Sequence, residues 1–429
     1  MKRNSNQRTL ARRAMPCVLA LLAPLAIGGA AHASAITTRA ANADDKVEKL
    51  EKLDPYTKGQ RKDLDRAGYI SLGPFPIADG IKTGDVEEAF GSLTVLWVET
   101  AHFKLGSTLV TYPLAADERE RKMVREELER LAKRIPRARG EPAKLDPWLR
   151  LHLYAQRLED LYADFEARFG LTDDDFTAKA NPDPTRPDYM GPGPYLGEPM
   201  KFTVLITEKS SQVARFAKRW LNADDSSYYR GSLSGGSMFF GTSMESSKSC
   251  MGSSLDLSLH VLVTQELART LCYGFRGARV PAPLWFAHGL ALYYGRKVDD
   301  RWCIYTPHAK SDEEDPMSRW EPRVSGLVAN DYVPKWEEML GWTSTTKLEV
   351  ASHLAAWSRV SWMMTMDKAK LRTFLLGVSQ VSAGKEAGSA ANGLSGEQQK
   401  AAMTAAFGKT PVELDQAWRK WVQRTYAHK

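Results

Sequence analysis

Residues 260–275 read HVLVTQELARTLCYGF, and the group there with the most chemical potential is Glu266, a carboxylate set in a nearly continuous apolar run. The run predicts a helix, which puts Gln265 and Arg269, four residues apart, on one face with Glu266 beside them. Two lone-pair donors at that spacing grip one metal ion, and a carboxylate next to them activates a bound water. Here the two positions hold an amide and a guanidinium. Glutamine is a poor zinc ligand, and arginine stays protonated with no lone pair to offer. A second segment, PLWFAHGLALYYG at 283–295, begins another helix after Pro281 and Pro283 and carries His288.

The elements that must position these residues follow from periodicity and turn chemistry. KFTVLITE at 201–208 is apolar nearly throughout and predicts a central strand, and 93–112 predicts two strands broken near Glu99 and Thr100. The Ser/Gly-rich stretch 226–254 holds too many aromatic residues for a linker and predicts a hairpin turning at Ser234-Gly235-Gly236. Helices are expected over 116–135, solvated and amphipathic, and over 146–170, with Asp146 as N-cap, Pro147 next and Gly170 as the stop. A further helix is expected around 211–221, and others at 348–366, 368–381, 397–407 and 411–426. Residues 182–199, with six prolines and three glycines, predict an irregular loop, and 382–396 a flexible connection. His152 on its helix reads as packing or surface. His260 lies about 140° around the helix from Gln265, away from the same site.

Composition narrows the function classes. A hydrophobic content of 43% with 26% charged residues belongs to a soluble globular chain. The formal charge is +7, yet Lys2, Arg3, Arg8, Arg12 and Arg13 all fall in residues 1–33, which hold no acidic residue. Without those five, 54 of the 59 basic residues remain against 52 acidic ones, so nothing points to nucleic acid. Residues 1–33 predict an export signal cleaved after Ala33: a basic start, an apolar run, and Ala31-His32-Ala33 before Ser34. A retained anchor is the alternative, against which Pro24 and Gly28-Gly29 interrupt the run. Arg12-Arg13 leaves the choice between general and twin-arginine export open. The mature chain keeps Cys250, Cys272 and Cys303, which allow one disulfide and one thiol, or three buried thiols, but lack the spacing of a zinc-cysteine site.

Together the two segments resemble the exported peptidases of the peptidase-MA-like, or gluzincin, group. Their pattern is an H-E-x-x-H helix followed by P-x-W-x-x-E-G-x-A-x-Y, whose glutamate is the third zinc ligand. Pro283, Trp285, Gly289, Leu290, Ala291 and Tyr293 fit the second part, while Gln265, Arg269 and His288 replace all three ligands. VETAHFKLGSTL, KFTVLITE and AFGKTPVELDQAWRKWV resemble the opening strand, the strand before the active-site helix and the closing helix of such domains, so the likeness spans about 92–426.

The resemblance implies an α+β, zincin-like fold: a small mixed sheet packed on active-site helices over 92–310, preceded by a leader at 34–91 and followed by a helical subdomain at 311–429. It implies a bacterial protein exported to the periplasm, the cell surface or the medium, with no stable membrane insertion after cleavage. With every ligand position altered, no catalytic zinc and no other cofactor are expected, and no catalytic residue. A fixed guanidinium opposes a metal by about 4 kcal/mol per unit charge at 4 Å and effective dielectric 20, doubled for a dication. The leading expectation is a pseudopeptidase that retains a cleft for a peptide or protein partner. Arg269 is expected in place of the metal, paired with Glu266 and supported by Gln265 and His288; an outward-pointing Arg269 is the alternative. The competing function is a peptidase or other hydrolase using Glu266 and His288 with atypical metal or none. A serine from 226–258 would then be the nucleophile, although no G-x-S-x-G pattern is present.

Overall fold

Strand alternation builds the sheet. In KFTVLITE, Phe202, Val204 and Ile206 enter one apolar cluster and Leu205 another, because successive strand side chains point to opposite faces. The computed structural model describes residues 50–114, 117–177, 188–223, 228–278, 280–302, 319–380 and 394–426. The expected signal peptide, Cys303, the 310/311 boundary, residues 182–187 of the expected loop at 182–199 and residues 382–393 of the expected connection at 382–396 lie outside these residues.

From the N-terminal end, helix α1 (Arg61–Ala67) leads into a short hairpin of β1 (Pro76–Ala78) and β2 (Ile81–Lys82), then α2 (Thr83–Ala89). Strands β3 (Leu96–Glu99) and β4 (Phe103–Ser107) break where Glu99 meets Thr100. A two-residue strand β5 (Tyr112–Pro113), helix α3 (Glu118–Arg134) and strand β6 (Lys144–Leu145) precede the long helix α4 (Pro147–Phe169). Strand β7 (Phe202–Thr207) is followed by α5 (Ser210–Trp220), the hairpin of β8 (Tyr228–Leu233) and β9 (Ser237–Ser243), and α6 (Met244–Met251). Then come the two helices with the chemistry, α7 (Asp256–Gly274) and α8 (Leu284–Val298). The remaining helices are α9 (Trp320–Ala329), α10 (Trp336–Met339), α11 (Val350–Met363), α12 (Lys368–Val378), α13 (Gly396–Phe407) and α14 (Pro411–Thr425).

The protein is thus α+β. Five strands run in the order β3-β4-β7-β9-β8, with β4, β7 and β9 parallel to one another and β3 and β8 antiparallel at the two edges. On one face, Trp97 and Leu205 of the sheet meet Val213, Phe216 and Ala217 of α5 and Val86 of α2. On the other, Phe103, Phe202 and Phe240 meet the apolar sides of α4 and α7, and the same cluster continues through α8, α11 and α12. Residues Glu48–Lys429 form one compact unit, so the C-terminal helices share the core that holds α7.

Local signals explain most boundaries. The Asp146 carboxylate accepts hydrogen bonds from the Trp148 and Leu149 amides, Pro147 follows it, and Gly170 closes α4 in the left-handed conformation at φ 60°. Gly235 and Gly236 turn the β8–β9 hairpin at φ 79° and 81°. Two readings need correction. Helix α6 stands in the serine-rich stretch that predicts only a hairpin; Ser243 caps it by accepting from the Ser246 amide, the role for which serine is suited. Helix α3 is not simply solvated, since Glu120 and Glu127 are buried. Glu127 meets Arg157 of α4 at 2.7 Å, and Asp256 in the first turn of α7 meets Arg150 at 2.7 Å and Arg157 at 2.9 Å. Charge pattern alone showed the acids but not their partners on other elements.

A buried arginine where α7 crosses α8

Helix α7 is buried along nearly its whole length, from Asp256 to Cys272. A helix enclosed on every side must satisfy each of its polar side chains inside the protein. Arg269 does so by turning inward. Its Nη1 donates to Glu266 Oε2 at 3.1 Å, one turn back on α7, and to the Tyr228 hydroxyl at 3.2 Å. Its Nη2 donates to His288 Nδ1 on α8 at 2.9 Å. Gln265 Nε2 donates to Glu266 Oε1 at 3.4 Å. The structure therefore brings Gln265, Glu266, Arg269 and His288 together in one buried cluster.

Two glycines of α8 set the approach of the helices. A Cβ on Gly295 would stand 3.2 Å from the Gln265 side chain, so α7 and α8 cross closely there. A Cβ on Gly289 would stand 2.5 Å from the Ala356 carbonyl oxygen, so α11 lies directly against α8. That contact brings His353 of α11 to His288, whose Nε2 stands 2.7 Å from His353 Nδ1.

Hydrogen-bond directions follow from arginine having no acceptor. His288 Nδ1 must accept, so its proton sits on Nε2 and is donated to His353 Nδ1. His353 then carries its own proton on Nε2 and bonds to the Leu348 backbone. Both imidazoles are held neutral. Burial, with Arg269 next in effect, pushes His288 well below the ordinary histidine value, and burial lowers His353 to about 4. Arg269 stays charged: burial works most strongly against it, but Glu266 together with the neighbouring Tyr228 and Tyr273 outweighs burial and raises it above its ordinary value.

Strand β8 supplies the rest. Tyr228 and Arg230 are two residues apart and face α7, while Tyr229 and Leu233 face the opposite cluster. Arg230 Nε stands 3.4 Å from Glu266 Oε2, and its guanidinium lies over the rings of Tyr228 and Tyr273. One carboxylate is thus shared by two arginines. Tyr228, Arg230 and His353 were not singled out in the sequence. The alternation of tyrosine and arginine on an edge strand was the available signal for the first two; His353, 65 positions from its partner, offered none.

A zinc ion does not fit these donors. The acceptor nitrogen of each imidazole is already bonded to a protein N–H, and the cationic Arg269 lies between Glu266 and His288. Among the described residues, no three His, Cys, Asp or Glu side chains stand together as a metal group. Nor does any described serine hydrogen-bond Glu266 or His288. His260 lies elsewhere, 3.9 Å from Glu127, and burial followed by Arg157 holds it well below the usual histidine value. His152 is a packed side chain bonded to Tyr69 and Asp54. Cys250 and Cys272 are buried, and burial pushes the Cys272 thiol up to about 12. Compared with known proteins, the chain matches no family model, no curated protein and no solved structure.

Proposed function

We propose that this chain is an exported pseudopeptidase: a zincin-like scaffold of the peptidase-MA-like kind in which an arginine stands where the catalytic metal would be, and which binds a peptide or protein without cleaving it. One observation carries the reading. Arg269, at the second ligand position of the motif, places its guanidinium between the motif glutamate and the third ligand position, 3.1 Å from Glu266 and 2.9 Å from His288. A cation held there by charge-assisted bonds serves the structural part of a metal, joining two helices through their polar side chains, without its Lewis acidity. The element order supports the scaffold: a mixed sheet ending in an antiparallel edge strand beside a buried helix, then a second helix bearing the third position. Strand β8 pairs with a neighbour on one side only among the described residues, which leaves an edge for an extended peptide.

The test is to express the chain with its signal, isolate the exported form, measure zinc content and assay casein and peptide-library cleavage. Sub-stoichiometric zinc and no turnover are expected. Stoichiometric zinc, or cleavage abolished by Glu266→Gln, would establish the competing hydrolase. As a gain-of-function check, Gln265→His, Arg269→His and His288→Glu combined are expected to create a zinc site. A folded triple variant without zinc affinity would show that the scaffold is not the one proposed.

A further inference from the structure

The cluster is not electrically balanced. Among the described residues, the charged groups that bear most on Tyr228 and on Tyr273 are Glu266, Arg269 and Arg230, and those that bear most on His288 are Arg269 and Arg230. His288 and His353 are neutral, so among the described residues two guanidiniums face one carboxylate and the surplus is one positive charge. The two arginines differ in access. Arg269 is enclosed, whereas the Arg230 side chain is 23% exposed and stands on β8, the edge strand among the described residues. Arg230 Nε has no hydrogen-bond partner among the described residues, although the atom itself is buried. The guanidinium lies over the rings of Tyr228 and Tyr273, 5.5 and 5.4 Å from their centroids, which orders a partly exposed fork beside the buried cluster.

We infer that Arg230 and the charge surplus behind it form a carboxylate-binding site, so that the partner is an extended peptide laid along β8 that presents a carboxylate to this fork. The inference rests on the peptide-binding reading above and names what that peptide must carry. An arginine fork matches a carboxylate in two parallel hydrogen bonds, and the surplus charge of Arg269 behind it favours an anion over a neutral group. The carboxylate comes either from the C-terminus of the peptide or from an aspartate or glutamate side chain.

Binding to the full chain is measured with three hexapeptide pools bearing an uncharged fluorophore: free C-terminus without acidic residues, amidated with one glutamate, and amidated without acidic residues. N-acetylalanine serves as a carboxylate probe with no strand to add. At least one carboxylate pool is expected to bind about 10- to 100-fold more tightly than the neutral pool, and Arg230→Gln to erase that difference. Which of the two pools is preferred identifies the source of the carboxylate. Raising the salt concentration is expected to weaken that pool more than the neutral one in the unaltered protein, a readout that needs no variant to fold. Equal binding of all three pools, unaffected by salt, would overturn the carboxylate site and leave peptide binding standing. Binding of N-acetylalanine without any peptide pool would support the carboxylate site and overturn the peptide partner. Failure of every probe would overturn both.

Discussion

At the scale of single residues, Arg269 and Glu266 divide unequal responsibilities. Removing Glu266 leaves two guanidiniums facing no carboxylate, whereas removing Arg269 leaves Glu266 with Arg230 at 3.4 Å. Glu266→Gln is therefore expected to destabilise the protein by about 3–5 kcal/mol, the range for breaking a buried pair, and Arg269→Met by less. Urea unfolding of the two variants gives the order. The imidazoles add a pH signature. His353 is lowered to about 4, so below pH 6.5 the unfolded chain takes up a proton that the folded chain refuses, and stability falls as pH drops towards 4. Asn at 353 keeps an acceptor and does not titrate. His353→Asn is expected to lose about 3 kcal/mol less than the parent between pH 6.5 and 4, read from denaturant midpoints across that range. The meeting of Glu266, Arg269 and His288 was legible because helical spacing and the proline–tryptophan frame of the next helix place them. Tyr228 and Arg230 were hidden in a serine-rich strand, and His353 in a helix whose approach depends on tertiary packing.

Among elements, the α8–α11 contact decides whether the cluster exists. At Gly289, α11 lies close against α8, and an added methyl would meet backbone at Ala356 and the Val360 side chain, neither of which yields cheaply. Gly289→Ala is expected to destabilise by about 1–3 kcal/mol and to separate His353 from His288. Thermal unfolding reads the first effect. The second appears as a rise of the His353 pKa above 4, followed by NMR titration. Most of the framework was readable here: the broken strand pair at Glu99-Thr100, the glycine-turned hairpin, and α4 with its Asp146 cap and Gly170 stop all answer to local chemistry. Helices α6 and α9 were not, because a serine-rich run and a short helix starting at Trp320 lack strong periodicity. The buried acids of α3 were misjudged for a different reason: an acidic residue that meets an arginine 30 positions away looks, in sequence, like one that meets water.

For the molecule as a whole, opposing titrations shape stability. Among the described residues, three buried histidines, His260, His288 and His353, are held below their ordinary value and contribute stability that is lost as pH falls below 6.5. Two carboxyls are held above theirs: burial pushes Glu198 up to about 8, and burial with Asp173 pushes Glu166 up to about 7. The unfolded chain releases those protons near pH 4.5, so their contribution declines as pH rises from there to 7 or 8. His102 is raised because Glu159 and Asp173 outweigh its burial, and its contribution is lost as pH climbs past its folded value. Stability is accordingly expected to peak near pH 6–7, with a urea midpoint that falls on both sides; a midpoint still rising at pH 8 would show that the carboxyls are not held protonated. No helix among the described residues is long and apolar enough to cross a membrane.

The line of bonds from Arg269 through His288 and His353 to the Leu348 backbone has one further consequence. Two linked imidazoles ordinarily make a conductor, because each can accept a proton at one nitrogen while releasing another. This pair begins at a donor that keeps its proton and ends at a backbone group that takes none. It is a wire insulated at both ends, and its proton order is as permanent as the packing around it.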